Sequence, residues 1–84
     1  GTYTGNGSAT SRTIQIGGIG KIIAVRSQTG YSSVIVTPNG YYGRDTNGAF
    51  VSERNSYTDA QSLKLNTSSD VLNASGVVYE YWVL

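Results

Sequence analysis

Apolar residues recur in this chain with a period of two, and no stretch carries a convincing helical period. Thr13-Ile14-Gln15-Ile16 alternates polar and apolar side chains, the pattern of a strand with one wet face. Lys21-Ile22-Ile23-Ala24-Val25-Arg26 is a continuous apolar run between charges and reads as a central strand buried on both faces. Thr29-Gly30 supplies a short turn, and Tyr31 to Thr37 returns as the second arm of a hairpin. Pro38-Asn39-Gly40 ends that arm, because Pro cannot donate to the ladder and Asn-Gly tolerates positive φ.

Further along, Ala49 to Glu53 and Ser62 to Asn66 are short strands. A helical turn has room only between Asp59 and Leu65. The closing run, Val77 to Leu84, is the strongest strand, with apolar or aromatic residues at its odd positions and Glu80 and Trp82 among the even ones. These elements predict an all-β fold: a small antiparallel β-sandwich of about seven short strands, forming one domain over residues 1–84. Two-layer packing buries one face of each strand, yet the last strand is apolar on both. Trp82 and Leu84 are therefore expected to meet another body, a copy of the chain or the remainder of a larger protein.

Composition sharpens that expectation. With 84 residues the chain buries only about 60% of the surface its unfolded form exposes. It has no Cys or His, so disulfides and the usual zinc, copper and iron–sulfur ligands are absent, as are His-based nucleophile pairs. Association is the staple left to it. Lacking Met and opening on Gly1, it is expected to be a piece separated from a longer protein. A net charge of +1, from four Arg and two Lys spread along the chain, makes no stripe for phosphates, so nucleic acid is not an expected partner. Apolar runs such as Ile22 to Val25 and Val34 to Val36 fall far short of the roughly 18 residues a helical span needs, and no membrane insertion is expected.

The richest recognition segment is Pro38 to Asn47, read as an exposed loop. Sugars present C–H faces that stack on aromatic rings and hydroxyls that need polar partners. Tyr41, Tyr42, Arg44, Asp45 and Asn47, with Tyr57 nearby, form a candidate carbohydrate surface. The competing reading packs a tyrosine over the sandwich edge and leaves Arg44 and Asp45 as an ordinary exposed pair. Glu53 with Asp59 or Asp45 is the only carboxylate pairing that position offers a glycosidase, and an 84-residue sandwich leaves little room for a cleft, so no enzymatic activity is expected. Asp45 with Asn47, or Asp59 with Asn55, lacks the spacing of a calcium loop. Gly17-Gly18-Ile19-Gly20 reads as a tight crossing between strands, since no helix follows it to hold a nucleotide. No metal or cofactor is expected. The sequons at Asn6, Asn66 and Asn73 are what a chain rich in Asn, Ser and Thr produces by chance.

The two ends together carry a resemblance. Gly1-Thr2-Tyr3-Thr4-Gly5-Asn6-Gly7, then Arg12 to Gly17, then Lys21 to Val25, resembles the opening of small β domains that end tail-fibre and receptor-binding proteins of tailed bacteriophages and prophages. Leu72 to Leu84 is similar to the terminal strand of that group. Gly18-Ile19-Gly20 stands where the group has an aromatic residue and proline, and residues from Thr37 to Gln61 match nothing in it. The resemblance implies a homotrimeric fibre tip, extracellular on a virion, that binds a bacterial surface glycan or protein receptor. Beside it stand two alternatives: a carbohydrate-binding module of a secreted bacterial enzyme, and a structural trimerisation cap with no receptor contact.

Overall fold

A computed structural model describes residues 1–17, 22–28, 32–59 and 61–84. Its described residues form nine strands and no helix: β1 Thr2–Thr4, β2 Arg12–Gln15, β3 Ile23–Ser27, β4 Ser33–Thr37, β5 Gly40–Arg44, β6 Phe50–Glu53, β7 Tyr57–Asp59, β8 Ser62–Leu65 and β9 Val78–Val83. They make two antiparallel sheets, one of six strands in the order β1-β9-β3-β4-β5-β6 and one of three in the order β2-β8-β7. The expected small antiparallel β-sandwich is the observed architecture, with nine strands where about seven were anticipated.

Ile23, Val25, Val34, Val36, Tyr41 and Tyr79 from the larger sheet meet Leu63 and Leu65 from the smaller. Val71 and Leu72, on the long segment before β9, fill the remaining space. The segment from Asn66 to Asp70, polar in sequence, is tied down by buried Thr67 and by the Tyr79 hydroxyl, which donates to the Asp70 carbonyl at 2.8 Å.

Three expectations are corrected, and one strand is added. β3 is central, flanked by β9 and β4, but it alternates: Ile23, Val25 and Ser27 are buried while Arg26 is exposed, so only one face lies in the core. The chain does not stay irregular after Pro38-Asn39; it resumes at once as β5. Gly40, at φ 135°, permits this, because a Cβ there would lie 2.3 Å from the Glu53 carbonyl oxygen. Among the described residues between Asp59 and Leu65 there is no helical turn, since β7 and β8 pair with Asp59 opposite Ser62. Thr2–Thr4, too short to show a period, becomes a strand by pairing with β9, Tyr3 opposite Tyr79. The Thr29-Gly30 turn and Gly18 to Lys21 lie outside the described residues, although the hairpin that turn would close is present as β3 with β4.

Candidate functional site

Side chains alternate between the faces of a strand, so the register of the six-stranded sheet assigns each residue to the core or to the outside. On β5, Tyr41 is only 3% exposed and faces the core, whereas Tyr42 points outward and is 48% exposed. Tyr41 is thus a core residue on a strand rather than part of a recognition loop. Burial, reinforced by the charge of Glu53, pushes its hydroxyl pKa up, and a hydrogen bond with the Asn55 side chain opposes the shift.

The other anticipated residues separate. Arg44 ends β5 on the outer face and donates to the Gly48 carbonyl at 3.2 Å. Asp45 is committed to the β5–β6 turn: its Oδ1 accepts from the Asn47 and Ala49 backbone N–H groups, each at 2.9 Å. Asn47 sits exposed in that turn. Tyr57 lies on β7, half-buried, in the other sheet. The Asp45–Glu53 pairing is stretched along the β5–β6 hairpin. Ala49, hydrogen-bonded to Asp45, stands four residues from Glu53, about 13 Å at strand rise, beyond the roughly 9.5 Å that a glycosidase pair spans.

What the register does bring together is Tyr42 and Trp82. Trp82 on β9 pairs with Ala24 on β3, Ala24 with Ile35 on β4, Ile35 with Tyr42 on β5, and Tyr42 with Ser52 on β6. These side chains form one row across five adjacent strands of the outer face. Trp82 is 47% exposed, and its place on β9 and that of Tyr42 on β5 are three interstrand steps of 4.7–4.9 Å apart, about 14 Å along the row. Residues anticipated for two separate tasks, ligand contact and subunit contact, therefore share one surface. Ala24 and Ile35, between them, are aliphatic and half-buried, which keeps the middle of the row low.

A second row runs beside the first and is polar: Thr2, Glu80, Arg26, Ser33 and Arg44, ending at exposed Phe50. Arg26 couples the two rows. Its guanidinium lies 3.6 Å from the Glu80 carboxylate and 5.6 Å from the centre of the Trp82 ring. On the far side of the first row, Leu84 is 68% exposed and donates its backbone N–H to the carbonyl of exposed Ile22 at 2.9 Å, whereas Val83, paired with Ile23, points to the other face of the sheet.

Each end of the aromatic row opens into a shallow hollow. One, of about 190 Å³, places Tyr42 among Asn39, Ser52, Glu53 and Arg54. The other, of about 280 Å³, places Trp82 beside Glu80, Gln28 and Thr2. Both combine an aromatic ring with a carboxylate, an amide and a hydroxyl. Composition pointed to Tyr42 and Trp82, but Ala24, Ile35, Arg26 and Glu80 were missed. The strands contributing them are distant in sequence, and only the sheet order joins them.

Comparison with protein families, with curated proteins and with solved structures finds no match to this chain.

Proposed function

We propose that this domain is a non-catalytic recognition module that binds carbohydrate through the outer face of its six-stranded sheet. The observation that carries the reading is the exposed row Trp82, Ala24, Ile35, Tyr42, with an aromatic ring and hydroxyl-pairing groups at each end. Rings held on strands present rigid area at little entropic cost, which suits contact with the apolar faces of sugars. The resemblance of the chain's two ends to phage fibre domains supplies the setting: a receptor-binding tip facing a bacterial surface.

A trimeric tip is favoured by a separate patch. Ile22 and Leu84, on the outer face beyond Trp82, form an exposed apolar edge where neighbouring subunits can pack without covering Tyr42. Three weak sites on one rigid body would then act by avidity.

The test is a glycan array probed with the domain and with Trp82→Ala, read alongside light scattering. Retention of saccharides by the native domain, lost in the variant while its circular dichroism is unchanged, supports the reading. An array with no retained saccharide overturns it. A monomer at high concentration removes the trimer but leaves the site.

A further inference from the structure

The recognition proposed above leaves open what shape of saccharide the face takes, and the geometry bears on this. The row is straight, crosses the strands, and is low in the middle because Ala24 and Ile35 fill it. The strands that carry its two rings are three steps, about 14 Å, apart, a spacing that spans more than one sugar ring. Polar side chains gather where the rings are, in the two hollows.

Charge narrows the class further. Arg26 is occupied by Glu80 and the Trp82 ring, Arg44 donates to the Gly48 carbonyl, and Arg54 shares its hollow with Glu53. Each hollow holds a carboxylate that would repel an anion: Glu53, beside Arg54, in one, and Glu80, paired with Arg26, in the other, which Gly1 also lines. A second copy of the chain fits the row poorly. The polar row of Glu80, Arg26 and Arg44 runs directly alongside, so a copy covering the row would also have to desolvate those charges.

We infer that the outer face binds a linear, neutral oligosaccharide laid across the strands, with one unit stacked at Trp82 and another at Tyr42. This rests on the carbohydrate reading above. The ligand is gripped at two separated points along a chain, so internal segments of a polysaccharide are recognised and a chain end is not required.

The experiment titrates the domain with cello-, chito- and manno-oligosaccharides, from the monosaccharide to the hexasaccharide. Trp82, the single tryptophan, supplies the fluorescence signal, and calorimetry follows binding in variants that lack it. Affinity should rise by about tenfold at the length that first reaches both rings, the worth of one added ring contact. Trp82→Ala and Tyr42→Ala should each reduce the longest ligand to the affinity of the short ones, and salt should have little effect. Gln15→Ala, on the other sheet, should bind as the native domain does. Equal affinity for short and long chains overturns the two-point grip while carbohydrate recognition stands. Stronger binding to sulfated or uronic-acid chains overturns neutrality. Failure of every saccharide overturns both this inference and the reading beneath it.

Discussion

Arg26 lies 5.6 Å over the ring of Trp82, and the same guanidinium is 3.6 Å from Glu80. The tryptophan is half-exposed, so few core contacts fix its orientation; a cation held by a neighbouring carboxylate does so instead. An exposed cation–π contact and a surface ion pair each contribute less than about 1 kcal/mol. Arg26→Ala should therefore leave thermal stability almost unchanged while freeing the indole. Fluorescence anisotropy of Trp82 should fall and its emission shift. An unchanged anisotropy would show that the ring is held by something else.

The tyrosine cluster predicts an alkaline limit to stability. Tyr3 and Tyr79 stack with centroids 5.2 Å apart, and their hydroxyls donate to the carbonyls of Leu72 and Asp70, both at 2.8 Å. Burial raises the pKa of Tyr3, with the neighbouring Tyr79 adding to it and Arg12 opposing. Burial likewise raises those of Tyr79 and Tyr41. A tyrosine whose folded pKa exceeds its unfolded value near 10 keeps its proton in the fold after the unfolded chain has lost it. Its stabilisation is complete below about pH 10 and declines as pH rises above that, at up to about 1.4 kcal/mol per pH unit for each such group. Urea unfolding followed from neutral pH to beyond pH 10 should show this fall. Tyr3→Phe should be less stable at neutral pH by about 1 kcal/mol, having left the Leu72 carbonyl unpaired, but its alkaline slope should be shallower by one group. A slope equal to that of the native domain would rule Tyr3 out as a contributor.

Gly43 predicts a steric threshold. It sits in β5 at φ 154°, and a Cβ there would lie 2.2 Å from the Ser33 carbonyl oxygen on β4. Gly48, in the following turn, also has positive φ, at 79°, but an added Cβ would meet nothing within 4 Å. Gly43→Ala must therefore push two paired strands apart, at a cost of about 2–3 kcal/mol or more, while Gly48→Ala bears only backbone strain of about 1 kcal/mol. Chemical denaturation of the two variants compares them directly; equal losses would contradict the close approach.

Legibility in the sequence follows the same physics. The strands β3, β4 and β9 could be read because β-branched residues and alternation mark them, and the apolar pattern on both faces of the last strand singled out Trp82 and Leu84, which are exposed in the single chain. By contrast, Gly40-Tyr41-Tyr42-Gly43-Arg44 has the composition of a loop, and its glycines are there because backbones approach closely rather than because the chain turns. Two adjacent tyrosines cannot be assigned to opposite faces until the strand is recognised. The recognition row depends on which strands are neighbours, and that is a property of the whole sheet.

Asn73 was legible least of all: nothing in its polar surroundings in the sequence marks it for the interior, yet it is fully buried. Its Nδ2 donates to Asn6 Oδ1 at 2.9 Å, to the Ser8 carbonyl at 3.0 Å and to the Thr67 carbonyl at 2.9 Å, so two hydrogens serve three acceptors. Its Oδ1 accepts from the Asn6 backbone N–H at 3.1 Å and from Arg12 at 3.0 Å. One amide thus pins the loop after β1 onto the segment before β9. Asn73→Asp keeps the shape but turns the donor toward three oxygens as a second acceptor, and the attraction of Arg12 offsets only part of that repulsion. The variant should lose about 3 kcal/mol or more at neutral pH, the scale of a buried and poorly partnered charge. Repulsion raises the folded pKa of the new carboxyl above its unfolded value near 3.9. Its protonated form restores one donor, so the deficit relative to the native domain should shrink as pH falls toward 4 and grow as pH rises. Unfolding of both proteins across that range tests the sign, and a deficit independent of pH would mean that the loss lies in packing rather than in the reversed hydrogen bonds.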